Sequence, residues 1–326
     1  TQSRWSSMTK YEEFKKNGYV VIKNALSEDE VQNLRKVAIR LCDQKAKEVG
    51  PQGFNGAQDR QLYAKAFTEN PELINPLYKK KIVDGVKEVL GDDFVSFADF
   101  SLQDNCHSPV WHVDAQSLGL SSQYIYEDSF NVAKLGLYLQ RDDDIYGGQL
   151  DIIPGSHLPS FLGTTTPIET KKRFGKISRL QFLAIKIRNM FLKKTSVNVA
   201  AGDVLLFHSL LWHRASQPKW NTLEQIDAYG IKNPPLDKRK FMLQWEISEN
   251  NEFAEVYSVH QTKKGEAAGS GQFFEANQYD FDDYHETTIE LIKENNVNFV
   301  KYLDLSVSAE TNNLRSKKGT PIVFSE

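Results

Sequence analysis

The apolar positions change period along the chain. Near the start, Thr9 stands before an apolar-polar run over residues 11–17 with Glu12 three positions on, as in a capping box, and Gly18 follows where such a helix would stop. Tyr19-Val20-Val21-Ile22 reads as a strand. Ser27, backed by Glu28, Asp29 and Glu30, marks a second helix start, and Val31, Leu34, Val37, Ala38 and Leu41 share one face at helical spacing. Residues 50–60 read as loop, and residues 78–90 as a helix ended by Gly91. Beyond this the texture turns to strands, predicted over 94–103, 132–140, 148–153, 196–199, 203–208 and 241–247. One helical period interrupts them, at Ile177, Leu180, Leu183, Ala184 and Ile187. The polar tail after Ser248 is predicted to hold a Gly-rich loop over 265–271 and a helix over 284–294.

This order, helices first and strands after, predicts one mainly β domain with flanking helices. Its 326 residues divide into a helical region over 9–92, a strand core over 94–247 and an extension over 248–326. Charge adds one feature to the pattern. Residues 158–196 hold nine Lys and Arg and a single acid, Glu169, so this segment carries +8 in a chain whose net charge is −3. The overall balance argues against a polyanion binder, and no nucleic-acid reader motif is present. Two cysteines, Cys42 and Cys106, are too few for a disulfide framework. The opening Thr1–Trp5 has no apolar signal core, and no stretch is apolar enough for a membrane span. The expectation is a cytoplasmic protein.

The chemistry lies in Trp111-His112-Val113-Asp114. In a strand, residues two apart point to one face, so an imidazole and a carboxylate converge on one ion. A later histidine, His208 or His213, completes a set of two histidines and one carboxylate, the facial triad of non-haem Fe(II) oxygenases. The plainer account of the same residues is a core histidine satisfied by a neighbouring aspartate. Five positions apart, His208 and His213 face opposite ways in an unbroken strand.

Four blocks in order make the chain resemble the phytanoyl-CoA dioxygenase family, a branch of the 2-oxoglutarate oxygenases. They are the segment from Asn17-Gly18-Tyr19-Val20 to Ser27, the Trp111–Asp114 segment, Gly148-Gln149-Leu150 through Pro154-Gly155-Ser156-His157, and Gly202-Asp203-Val204 through His208 to His213. The resemblance implies a double-stranded β-helix, a jelly-roll barrel of the cupin kind. It implies iron(II) on His112, Asp114 and His213, with His208 structural. It also implies 2-oxoglutarate and O₂ as co-substrates, ascorbate as reductant in vitro, and hydroxylation of a small metabolite. A carboxylate at Asp114 favours hydroxylation over halogenation. The far carboxylate of 2-oxoglutarate is usually held by an arginine opening a late strand, which a guanidinium fork suits. Arg239 fits that role, although its distance from His213 is longer than in relatives and implies an inserted loop over 217–236; Lys219 and Lys240 are alternatives, and Arg214 should point away from the metal.

Asp99, Ser101 and Gln103 share one strand face, either lining the co-substrate pocket or solvated. Trp111 and Trp212 should point away from the metal into the core, and His157 should bond within its own Pro-Gly turn. The basic segment 158–196 follows the third block, on the rim of the family's active site. It suits an anionic or carrier-linked substrate, or forms a surface helix packed by its apolar side on the barrel, or lies on a membrane. The competing classes are a cupin-type metalloenzyme that does not use 2-oxoglutarate and a non-enzymatic sugar- or lipid-binding β-sandwich. The latter would have no reason to bury a His/Asp cluster.

Overall fold

The computed structural model describes residues 8–49, 61–104, 110–115, 127–140, 150–159, 161, 178–216, 225–226, 232–233 and 235–311. The predicted loop 50–60, Cys106, His107, Lys219, most of 217–236 and most of the basic segment before Ser178 lie outside them.

The helical start follows its local signals. Helix α1 (Lys10–Asn17) opens on a capping box in which Thr9 and Glu12 satisfy each other's backbone, and Gly18 closes it in the left-handed region. Strand β1 (Tyr19–Ile22) leads to α2 (Glu28–Val49), where Ser27 and Glu30 exchange bonds in the same way. After β2 (Gln61–Leu62) come α3 (Ala64–Glu69), α4 (Pro71–Ile74) and α5 (Lys80–Leu90).

The strands follow: β3 (Val95–Phe97), β4 (Ser101–Asp104), β5 (Val132–Tyr138), β6 (Leu150–Ile152), β7 (Thr195–Val197), β8 (Val204–His208), β9 (His213–Ala215), the hairpin pair β10 (Gln225–Ile226) and β11 (Lys232–Asn233), and β12 (Phe241–Ser248). The basic helix α6 (Arg179–Met190) precedes β7. The extension adds α7 (Glu252–Ala268), α8 (Gln272–Glu275), α9 (Glu286–Glu294), β13 (Asn298–Val300) and α10 (Tyr302–Thr311).

The large sheet runs β1-β8-β5-β12-β3-β13, with β4 also on β12 and β2 on β4; only β13–β3 is parallel. The small sheet runs β7-β6-β9, and His112 pairs with His213 at its edge. Two facing sheets with helices outside realise the jelly-roll expectation, and the described strands do not close into a barrel.

Alternation along each strand divides the large sheet into two faces. Leu135, Leu137, Leu206, Leu243, Trp245 and Ile247 face the helices, packing with Leu34, Ala38, Ile82 and Val86. Tyr138, Leu205, Phe207 and Met242 face the small sheet, against Leu150, Ile152 and Val197. This inner layer positions the site.

Three expectations change. The predicted strand 94–103 breaks into β3 and β4 around Ala98–Phe100. Gly265 is not in a loop, because α7 runs through it to a left-handed cap at Gly269. A Cβ on Gly265 would lie 2.8 Å from the Phe273 backbone, so α8 crosses where only glycine leaves room. The apolar side of α6 is not packed on the barrel: Leu180, Leu183, Ile187 and Met190 are exposed.

Candidate metal centre

His112, Asp114 and His213 come together. One ligand atom from each lies within 4.8 Å of the others. His112 Nε2 is 3.7 Å from Asp114 Oδ1, and His213 Nε2 is 3.8 Å from Asp114 Oδ2. The backbone makes this meeting. His112 and His213 exchange two N–H to carbonyl bonds, each of 3.0 Å, so the two histidines stand side by side with ring centroids 4.3 Å apart.

Each ring is fixed by its other nitrogen. His112 Nδ1 lies 2.8 Å from the Val110 carbonyl, and His213 Nδ1 lies 2.8 Å from the Leu211 carbonyl. A carbonyl only accepts, so both Nδ1 atoms carry the proton and both Nε2 atoms offer lone pairs toward Asp114. Burial pushes His213 down to about 4, so it stays neutral at physiological pH. Burial pushes the Asp114 carboxyl up, but the neighbouring groups, the Lys134 ammonium first among them, hold it well below the usual carboxylate range. Two imidazoles and one carboxylate, preformed and facing each other, are a donor set that fits iron(II).

Lys134 and Glu246 are site residues that the motifs did not reveal. Lys134 Nζ lies 3.2 Å from Asp114 Oδ2 and 3.5 Å from Glu246 Oε1. Glu246 Oε2 in turn accepts from Tyr257 Oη at 2.8 Å, Tyr302 Oη at 2.5 Å and Gln261 Nε2 at 3.4 Å. The extension therefore reaches the metal centre through α7 and α10. A signal was present: Lys134 and Glu246 are charges inside otherwise apolar strands, paired across β5 and β12.

Other residues separate by face. His208 donates from Nε2 to the Phe130 carbonyl at 2.7 Å and accepts the Leu210 N–H at Nδ1, 3.0 Å, so both nitrogens are used and it is structural. Trp212 is buried with Val113 and Ile153, while Trp111 is half-buried beneath the Arg214 guanidinium. Arg214 itself bonds Asp151, away from the triad. His157 does not bond within its own turn. Its Nε2 meets the Lys15 carbonyl at 3.3 Å, because the turn folds against the end of α1.

Arg239 is the main correction. Its Nε and Nη2 fork onto Asp104 at 2.8 and 2.5 Å, and Nη1 bonds Asp43 at 3.0 Å. It has the parity of Phe241, whose ring lies 5.1 Å below its guanidinium, so it faces the helices. Lys240 has the parity of Met242 and faces inward; it is buried, with Nζ 5.8 Å from the Tyr138 ring centroid. Ser101 and Gln103 pair with Gln244 and Met242 across β4 and β12, and so share the inner face. Gln103 Nε2 donates to Gln244 Oε1 at 2.5 Å, and the buried Ser101 Oγ has no hydrogen-bond partner among the described residues. Asp99 is buried and accepts the Glu246 N–H at 2.8 Å, which overturns the solvated reading of this row.

The sequence profile of the phytanoyl-CoA dioxygenase (PhyH) family matches residues 14–219. The chain belongs to this family. Family membership and the preformed triad bring iron and 2-oxoglutarate as cofactors. A comparison with curated proteins finds no match. Among solved structures, the chain is similar to iron-bound EctD from S. alaskensis, at 15% identity over 76% of this chain and 80% of that one, TM-score 0.48. It is also similar to two α-ketoglutarate-dependent enzymes of nogalamycin biosynthesis. The epimerase SnoN is 14% identical over 74% of this chain and 82% of its own, TM-score 0.47. The carbocyclase SnoK is 17% identical over 73% and 82%, TM-score 0.46. No helix among the described residues is long and apolar enough to cross a membrane.

Proposed function

We propose that this PhyH-family protein hydroxylates an unactivated C–H bond of a small metabolite, with iron(II) held by His112, Asp114 and His213. The observation that carries the proposal is the preformed triad, in which two carbonyl-anchored imidazoles present Nε2 to one ionised carboxylate. Iron with 2-oxoglutarate and O₂, once bound, supplies the oxidising chemistry. The protein's part is to orient the donors, balance charge and exclude water. Lys134 offsets the Asp114 charge and is itself held by Glu246. The Phe207 ring, with its centroid 4.9 Å from that of His213, closes the inner side.

For 2-oxoglutarate, the inner row of β12 offers Lys240 in place of the expected Arg239. Ser101, Gln103 and Gln244 lie between Lys240 and the Lys134 end, with polar groups where a carboxylate needs donors. Arg239 is committed to Asp104 and Asp43.

Succinate release from 2-oxoglutarate tests the reading, with purified protein, Fe(II), ascorbate and air. The expected result is iron-dependent succinate that falls at least about a hundredfold in His213→Ala and Asp114→Ala. Succinate that persists in both variants, or no 2-oxoglutarate binding by calorimetry, would refute it.

A further inference from the structure

The α6 segment joins two properties that the metal centre does not use. Leu180, Leu183, Ile187 and Met190 are 80%, 53%, 49% and 77% exposed, and Phe191 just after the helix is 81% exposed. At 3.6 residues per turn these five fall within about 100° of arc, so they form one stripe. Large apolar side chains gathered on one exposed face mark a surface that meets something apolar. The same stretch is cationic. From Thr170 to Gly202 there is no Asp or Glu, while Lys171, Lys172, Arg173, Lys176, Arg179, Lys186, Arg188, Lys193 and Lys194 all lie within it.

We infer that α6 docks on an anionic lipid surface, with the Leu180–Phe191 stripe entering the interface and the exposed Arg179, Lys193 and Lys194 at its two ends meeting headgroups. Apolar face and basic flanks together are the signature of an interfacial helix. An anionic leaflet attracts each added Lys or Arg near its surface, and a segment free of acids opposes none of that attraction. An acidic protein partner would meet the charge but would leave so broad an apolar stripe to be matched by one complementary groove. A bilayer accommodates it without such a groove. The attachment places the surface beside the metal centre. Leu192, directly after the stripe, packs with Val113 and Trp212, and Lys194 Nζ lies 5.7 Å from the Trp111 ring centroid. The inference stands independently of the oxygenase reading.

Sedimentation with vesicles of phosphatidylcholine, with and without phosphatidylserine, tests it on the full chain. The protein should partition onto the serine-containing vesicles and lose this binding as salt rises past the screening range. Leu183→Glu/Ile187→Glu should weaken partitioning about tenfold or more. Both positions are exposed, so the variant should keep the native circular dichroism and melting temperature. A second variant, Leu180→Asp, should act in the same direction. Equal binding to uncharged vesicles, unchanged binding of both variants, or no sedimentation while α6 captures an acidic carrier protein would each overturn the inference.

Discussion

One position in sequence decides which cation faces the inner layer. Arg239 and Lys240 are adjacent, and alternation sends the first to the helices and the second between the sheets. Their variants should therefore separate cleanly. Lys240→Met should raise KM for 2-oxoglutarate about tenfold or more; an unchanged KM would remove Lys240 from the co-substrate site. Arg239→Met breaks the buried fork onto Asp104 and the bond to the half-exposed Asp43. Breaking such a buried pair costs about 3–5 kcal/mol, so urea unfolding should show a large loss while KM holds. The triad was legible because His-x-Asp and the distal histidine carry family blocks around them. The arginine was misread because a motif gives residue type and order, whereas the face depends on strand register, which the long 217–236 segment hides.

At the scale of elements, the extension is where sequence reading failed most. Its helices α7 and α10 lack a clear apolar stripe, because they are buried on several sides at once, with Phe253, Val256, Tyr257 and Tyr302 packed on β3 and β5 residues. Their function is visible only in contact: Tyr257 and Tyr302 both donate to Glu246, which holds Lys134 on Asp114. By contrast α1 and α2 were predictable to within a residue, since caps are local chemistry. Tyr302→Phe keeps the ring and removes one bond to a buried carboxylate, which costs about 1.5–3 kcal/mol. Chemical denaturation should register that loss. If the clamp also orients the triad, Fe(II) affinity measured by calorimetry should fall in the same variant, and unchanged affinity would confine the clamp to stability. Gly265→Ala tests a second contact. A helix interior ordinarily gains about 0.5–1 kcal/mol from this change, but the Phe273 backbone at 2.8 Å should turn the gain into a loss.

Over the whole molecule, the histidines set an acid limit on stability. His157 and His208 pack together at the end of α1, centroids 5.0 Å apart, and Gly18 leaves the room they occupy: a Cβ there would stand 2.5 Å from His157 Nδ1. Burial pushes His157 down to about 4 and His208 well below the ordinary histidine value, and burial with Lys264 and Lys263 nearby takes His260 to about 4. An unfolded chain binds protons at these histidines below about 6.5, whereas the folded chain refuses them until about 4 at His157 and His260, and at His208 until well below the ordinary value. Stability present above that window is therefore lost as pH falls through it. Asp99 acts with the opposite sign. Burial and the neighbouring Glu246 push its carboxyl well above the usual range, so the folded chain keeps a proton there that the unfolded chain releases. With His213, which burial likewise takes to about 4, four histidines stand against one carboxyl and leave a net difference of about three protons, or roughly 4 kcal/mol per pH unit near pH 5. Unfolding free energy measured by urea should fall as pH drops from about 6.5, and should reach that slope near pH 5. His208→Gln should lower the overall stability and flatten the slope by about one proton, and the slope is the informative quantity. A slope unchanged in that variant would mean that His208 already carries its proton in the folded protein, in conflict with the Leu210 N–H that its Nδ1 accepts.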